Sequence, residues 1–323
     1  QNTGTSPLVG TITVTPQFQN GGLSCYGASE NFTITVNPSP VVGFSAQNQV
    51  VCSGGISNTV VITSTTPNAN ISWNVSNAPA GITGLTSTSG TSTIPSYTLV
   101  NTTNVPLTIN FTVSASTNIG GCPGVSSTYS ITVNPSPTVV ATNPLVVCNG
   151  GQVNSISFSG TGTSYNWANN LSSIGTAVTG INTIAGFTAV NATSTVQTAT
   201  FTVTPVYLGG GLSCNGSVST FTITVNPTPV VTPVADFALC NTNVTSPFSF
   251  AGSATSYNWT NSNTAMGLGA SGVNGLPSYT ATNGTGTPST ATVTVTPIFV
   301  NAGVTCTGSQ DQFVITVNPT PAV

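Results

Sequence analysis

A nine-residue phrase recurs four times along this chain and constrains any fold it adopts. It reads Phe32-Thr-Ile-Thr-Val-Asn-Pro-Ser-Pro40, Tyr129-Ser-Ile-Thr-Val-Asn-Pro-Ser-Pro137, Phe221-Thr-Ile-Thr-Val-Asn-Pro-Thr-Pro229 and Phe313-Val-Ile-Thr-Val-Asn-Pro-Thr-Pro321, with successive copies 97, 92 and 92 residues apart. A fixed spacing of that size matches one small all-β domain, so the sequence predicts a tandem array. The copies divide the chain into a partial unit at 1–40 and complete units at 41–137, 138–229 and 230–323. The partial unit carries only the last two strands of its domain.

The strands are read most easily in the last unit. Val234–Leu239 reads as a first strand, Pro247–Ala251 as a second, and a third contains Tyr257-Asn-Trp259. Ser278–Ala281 begins a further strand, Ala291–Thr296 alternates strictly, and Gln312–Val317 closes the unit with the same alternation. Period-two alternation interrupted by Gly, Asn and Pro marks half-buried antiparallel strands, and no long window has helical periodicity. The expected fold class is all-β: a tandem array of immunoglobulin-like antiparallel β-sandwiches forming an extended rod.

Each complete unit has one Trp, at Trp73, Trp167 and Trp259, two residues after Ile71, Tyr165 and Tyr257. Residues two apart on a strand share a face. A recurrent aromatic on the third strand reads as sandwich core; the functional alternative is a sugar-stacking platform. Between units the chain passes straight from strand to Asn-Pro-x-Pro. Pro38 and Pro40, Pro135 and Pro137, and Pro227 and Pro229 therefore predict short, stiff linkers. Each unit should add about 40 Å, the length of a ten-residue strand with its turns.

Composition narrows function. The chain has no Lys, Arg or His, and its only carboxylate side chains are Glu30, Asp236 and Asp311. Without a tunable base the hydroxyls have nothing to activate them, so no enzyme is expected. Phosphate binding draws on Lys and Arg, which argues against nucleic acid and anionic membrane surfaces. The scattered acids predict neither a metal site nor a cofactor. No apolar run approaches a membrane span, and the polar start Gln1-Asn-Thr-Gly is no secretory signal. A surface of hydroxyls and amides has little for salt or pH to act on, and it offers no cleavage site to proteases that require Lys or Arg. Both properties suit an extracellular or cell-surface fibre. Glu30 and Asp311 occupy one repeat position and read as strand-edge charges that discourage aggregation.

Seven cysteines fall into two classes. Cys52, Cys148 and Cys240 follow the first strand of each complete unit, while Cys25, Cys122, Cys214 and Cys306 precede the last strand. With no His and no Cys-x-x-Cys, disulfides in an oxidising setting are expected rather than zinc. Pairing within a unit would join Cys52–Cys122, Cys148–Cys214 and Cys240–Cys306. In the assumed strand order those positions sit at opposite poles of a sandwich, about 30 Å apart, whereas bridged Cα atoms need about 7 Å or less. In a head-to-tail array one unit's lower pole meets the next unit's upper pole. That favours inter-domain pairs Cys52–Cys214 and Cys148–Cys306, with partners outside the chain for Cys25, Cys122 and Cys240. Intra-unit bridges and free thiols stay open as alternatives. Asn-x-Ser/Thr sequons occur at Asn31, Asn70, Asn74, Asn101, Asn170, Asn191, Asn243 and Asn283, as chance alone would generate in such a composition.

The combination of Phe-Thr-Ile-Thr-Val-Asn-Pro-Thr-Pro, Tyr-Asn-Trp, Pro-Ser-Tyr-Thr-Ala and Cys-x-Gly resembles the PKD-like repeats of very large surface proteins of Bacteroidota, over essentially the whole chain. The resemblance implies export by type IX secretion and kinship with gliding-motility adhesins. The family signature Trp-Asp-Phe-Gly-Asp-Gly is absent: Asn-Val, Ala-Asn and Thr-Asn follow the three Trp. The resemblance therefore carries over no Ca²⁺ or collagen site. The function expected is a stalk that holds an adhesive tip away from the cell, its partners being neighbouring repeats. Alternatives are weak multivalent binding of surface glycans or other cells, or a fibre polymerised by strand complementation through 1–40.

Overall fold

The computed structural model describes residues 1–321, so the last two residues of the 230–323 unit lie outside the described residues. Its regular elements are β-strands, apart from the single 3₁₀ turns Ser172–Ile174 and Thr264–Met266. Among the described residues no helix is long and apolar enough to cross a membrane. The chain forms two compact units. One comprises Gln1–Thr138, Thr161–Ser164 and Pro205–Ser217; the other comprises Val139–Gly160, Tyr165–Thr204 and the chain from Val218 on.

In the first unit a five-stranded sheet runs in the order Ser89–Gly90, Asn70–Asn77, Leu107–Ser116, Ser127–Asn134, Gln49–Cys52. It packs on a smaller sheet of Val42–Phe44, Val60–Ser64 and Thr93–Ile94. Alternate residues of Leu107–Ser116 are buried, so Ile109, Phe111 and Val113 face Val60, Ile62 and Ile94 across one core. Phe111 sits at its centre, with Trp73 edge-on at 5.7 Å and Tyr97 stacked at 6.1 Å.

The second unit has two further cores. One sheet orders Leu145–Cys148, Ser219–Asn226, Gln197–Gly209, Ser164–Asn169, Thr179–Ile181; the other orders Phe237–Cys240, Asp311–Asn318, Ser289–Asn301, Ser256–Asn261, Ser271–Val273. The opposing layers are reduced to two-residue pairings such as Ile156–Ser157 with Thr183–Ile184 and Phe248–Ser249 with Gly275–Leu276. The architecture is that of immunoglobulin-like sandwiches.

One pairing departs from the antiparallel expectation. Gln49–Cys52, Leu145–Cys148 and Phe237–Cys240 each run parallel to the last strand of the same sheet. After Val42–Phe44 pairs in one sheet, the chain crosses to the other sheet without reversing, so it meets the last strand in parallel. Strand extents also differ. Regular pairing in the Pro247–Ala251 segment is confined to Phe248–Ser249, and Ser278–Ala281 contributes only a bridge between Val244 and Thr280. Asp311 is more than an edge charge: its Oδ2 accepts the Val234 N–H at 3.0 Å, and Asp236 Oδ1 accepts the Val314 N–H at 2.7 Å.

The long strand Ser289–Asn301 does two jobs. Its first half pairs with Asp311–Asn318, and its second half overhangs the sandwich and pairs with Val304–Thr307. The hairpin Val206–Gly209 with Leu212–Asn215 repeats this register, as does Gln17–Asn20 with Leu23–Tyr26. An aromatic lies opposite the cysteine in every copy: Phe18 and Cys25, Tyr207 and Cys214, Phe299 and Cys306. Both turn residues take positive φ in Gly21-Gly22 and Gly210-Gly211, the geometry of a tight two-residue hairpin, and Ala302 adopts it at φ 47°. The loop Thr117–Gly124 replaces this hairpin after Leu107–Ser116.

Candidate functional site: the inter-repeat junctions

Trp73, Trp167 and Trp259 lie in the three cores, each at most 5% exposed. Each indole N–H donates to a backbone carbonyl: Thr93 at 2.8 Å, Thr183 at 3.1 Å and Gly275 at 2.8 Å. The cross-strand neighbours are Gly90, Gly180 and Gly272. A Cβ on Gly180 would come within 2.5 Å of the Trp167 ring, so the indole needs a glycine beside it. No Trp offers a face to a sugar.

The structure bridges Cys52 to Cys214 with Cα atoms 5.5 Å apart, and Cys148 to Cys306 at 5.6 Å. The first bridge lies wholly in the first unit, where the hairpin Pro205–Ser217 joins the sandwich of Val42–Asn134; the second lies wholly in the second unit. Each joins the end of a parallel strand to the overhanging hairpin of the next repeat. Cys25, Cys122 and Cys240 are thiols: Cys25 and Cys240 are exposed, and Cys122 is half-buried in the loop that stands where a hairpin would be.

Three further features meet at each junction. The first is the linker Asn. Asn134 Nδ2 donates to Gly209 O at 2.8 Å, Asn301 Nδ2 donates to Asn226 Oδ1 at 2.9 Å, and Asn37 Nδ2 donates to Ile119 O at 3.0 Å. Asn134 and Asn226 are fully buried by the hairpin they hold. The second is the linker proline pair. Pro38, Pro40, Pro135, Pro137, Pro227 and Pro229 are all buried, while Ser39, Ser136 and Thr228 between them are exposed. These prolines pack into the junction as well as stiffening it.

The third explains Cys-x-Gly. A side chain on Gly216 would collide with Pro137 O, on Gly308 with Pro229 O, and on Gly124 with Pro40 O. The glycine two residues after the cysteine admits the linker backbone, and no larger residue fits there.

Sequence alone gives the linker asparagines and the Cys-x-Gly glycines no structural role, and a second set of asparagines reads there only as chance sequons. Asn101, Asn191 and Asn283 are buried, and their amides are fully used. Asn191 Nδ2 donates to Thr195 O and Val225 O, both at 2.8 Å, and Oδ1 accepts from the N–H and hydroxyl of Thr193. Asn101 and Asn283 make the equivalent bonds to Val133 and Val317, and Asn2 donates to Val36 O. Each ties the loop before the long strand to the last residue ahead of the linker. The Thr two residues on completes this bracket, which is why the motif has the form of a sequon. A separation of 34 residues from Asn to Val at Asn2, Asn191 and Asn283 was the available signal.

Chemically, such a site fastens segments of chain together. Its groups are disulfides, amides and prolines, and among the described residues no three His, Cys, Asp or Glu gather as a metal site. The titratable groups that burial perturbs are the phenols of Tyr97, Tyr129 and Tyr279, pushed above their ordinary range; hydrogen bonds from Ser87 to Tyr97 and from Gln49 to Tyr129 partly offset this.

A PKD-like domain model matches residues 49–137 and 146–229, each match running from the parallel strand to the linker. No curated protein matches the chain. Among solved structures the chain is similar to the I-band fragment I67–I69 from titin, at 11% identity over 88% of this chain and 99% of that one, with a TM-score of 0.47. It is also similar to mouse cadherin-23 EC22–24, at 12% identity over 87% and 99%, with a TM-score of 0.38. Drosophila N-cadherin EC1–4 aligns at 14% identity over 97% and 84%, with a TM-score of 0.34. Two consecutive matched copies cover more than half of the sequence, and the chain belongs to the PKD-like domain family.

Proposed function

We propose that this chain is a load-bearing stalk segment of an extracellular surface protein, its repeats at 41–137, 138–229 and 230–323 locked head to tail so that they resist bending and hold a functional tip away from the cell. The observation that carries the reading is the pair of equivalent bridges, Cys52–Cys214 and Cys148–Cys306, each fastening one repeat's hairpin to its neighbour. Disulfides of this kind persist in oxidising, extracellular settings. Buried linker prolines and the linker Asn bonds act in the same direction. The three Trp are closed off and offer multivalent glycan binding no platform. Small-angle scattering tests the reading. A rod of three and a half repeats at about 40 Å each has a radius of gyration of about 40 Å, against about 20 Å for a compact chain of this length. The smaller value would sink the proposal.

A second reading is supported by residues 1–40. The hairpin Leu8–Val14 with Glu30–Val36 exposes Val14, Phe32 and Ile34 by about half, whereas the matching Val203, Phe221 and Ile223 are buried. That apolar face suits the closing hairpin of a sandwich, and strands offered by a second chain would cover it. Residues 138–196 added as a separate peptide should protect from exchange the outward-facing backbone amides of Thr33 and Thr35, the equivalents of Val314 and Thr316; unchanged exchange refutes complementation.

A further inference from the structure

The three repeats differ at one edge of the sandwich, where the parallel strand of one sheet faces the short pairings of the other. Strand registers align the residues there. Ile56 opposite Thr98, Gln152 opposite Thr188 and Val244 opposite Thr280 are matching pairs, so Tyr97, Phe187 and Tyr279 occupy one position. By the same registers Ser57, Val153 and Thr245 occupy another. Val60, Ile156 and Phe248 also match, opposite Ile94, Ile184 and Leu276. In the first repeat Ser57, Val60 and Tyr97 are all buried, and in the second Val153 is buried. In the third, Thr245 and Tyr279 are half-buried and Phe248 is 44% exposed. The third repeat has a cleft of about 550 Å³ at this edge, lined by Val234, Phe237, Leu239, Phe248, Leu276 and Tyr279. Small-molecule sites are concave, mostly apolar and ~300–1,000 Å³ in volume.

Two details of the walls specify chemistry. No charged side chain lines the cleft: the Asp236 carboxylate, between Ala235 and Phe237, accepts the Val314 N–H instead. An ion entering it would lose its hydration with no counter-charge in return, so a neutral occupant is favoured. The second detail is a hydroxyl. The Tyr97 hydroxyl is bonded to Ser87 and Phe187 has none, but the Tyr279 hydroxyl oxygen is buried without a partner. An unmatched buried hydroxyl is a net cost to the empty protein that a phenylalanine in its place would not carry.

The cleft does not depend on what adjoins the repeat. Ala235 and Val244 stand on its rim, and their equivalents are Gln47 and Ile56 in the first repeat and Asn143 and Gln152 in the second. Both of those repeats are bridged to the one that follows, yet all four residues stay exposed. A following repeat would therefore leave this rim open as well.

We infer that the third repeat binds a neutral, mainly apolar small molecule in this cleft, with one oxygen of that molecule accepting a hydrogen bond from the Tyr279 hydroxyl. The apolar walls bury the body of the ligand. Tyr279 lines the cleft, so a small rotation of its ring brings the hydroxyl to the ligand and fixes one end of it.

The test uses prodan, a neutral naphthyl ketone whose emission shifts to the blue in apolar surroundings, titrated into the full chain. One molecule per chain should bind saturably with a blue shift. Tyr279→Phe should weaken binding about three- to tenfold through loss of one hydrogen bond, while the melting temperature of the empty protein stays level or rises. Val244→Trp and Ala235→Trp, both at exposed rim positions, should each weaken binding about tenfold or more by filling the cleft, with circular dichroism unchanged. Absence of saturable binding, or binding that both rim variants leave intact, overturns the inference. Equal affinity in Tyr279→Phe, or a lower melting temperature there, overturns the part given to the hydroxyl.

Discussion

Stretching the chain from its ends reads out the bridges directly, because the two loops interlace. Cys148 lies inside the loop closed by Cys52–Cys214, and Cys214 lies inside the loop closed by Cys148–Cys306. A reduced chain offers 322 residue steps, about 1,160 Å at ~3.6 Å per step. An oxidised chain can extend only along its shortest covalent path. That path runs from residue 1 to Cys52, across to Cys214, back to Cys148, across to Cys306 and on to residue 323. Its segments of 51, 66 and 17 steps make about 134, or about 480 Å. Cys52→Ser and Cys214→Ser should both lengthen the path to about 164 steps, roughly 590 Å, since either change removes the same bridge. Cys240→Ser should change nothing. Single-molecule force spectroscopy with handles at both termini measures these contour lengths. Bridges within each repeat predict otherwise: Cys240→Ser would then add about 66 steps, roughly 240 Å. Lengthening on Cys240→Ser, or none on Cys52→Ser, refutes the reasoning.

Three other perturbations probe the supporting structure. Asn191→Ala removes four hydrogen bonds, among them the buried one to the Val225 carbonyl, while the exposed Thr195 carbonyl keeps the Thr193 hydroxyl; at ~1–3 kcal/mol per buried orphan it should cost about 2 kcal/mol, read as a lower urea midpoint, and a loss below about 1 kcal/mol would deny the bracket its role. Gly216→Ala places a methyl against Pro137 O; the junction should weaken by about 2 kcal/mol, and the Cys52–Cys214 bridge should be reduced faster by dithiothreitol while Cys148–Cys306 keeps its rate. Burial holds Tyr97, Tyr129 and Tyr279 protonated above the ordinary phenol value of about 10. The unfolded chain therefore loses those protons first, and stability is fully present below pH 10 and declines above it. With free thiols blocked, the melting temperature should stay level from about pH 6 to 9 and drop beyond about 10; a flat profile to about pH 12 would contradict the burial of these phenols.

The parts of the fold legible in the sequence are those where a long strand alternates between core and solvent. Ser289–Asn301 buries every second residue through most of its length, so its period is plain. The opposing layer is illegible for the converse reason: pairings such as Phe248–Ser249 with Gly275–Leu276 are too short to establish a period. Parallel strands of four residues, such as Phe237–Cys240, have no local mark of direction, since a crossover between sheets decides it. Two cysteine classes at fixed repeat positions were visible, and the poles they occupy followed from strand order. The amide bracket was hidden behind its likeness to a sequon, because Asn-x-Thr serves an Asx-type turn as well as glycan attachment. The linker asparagines stood in the repeated phrase itself, but their partners lie about 75 residues on, in the hairpin of the next repeat.

The account turns on which cysteines are joined across the junctions. Digesting the unreduced protein with a non-tryptic protease and sequencing the linked peptides by mass spectrometry answers this most directly. The account predicts Cys52 linked to Cys214 and Cys148 linked to Cys306. Cys52 found with Cys122, or Cys148 with Cys214, would contradict it and leave each repeat braced only within itself.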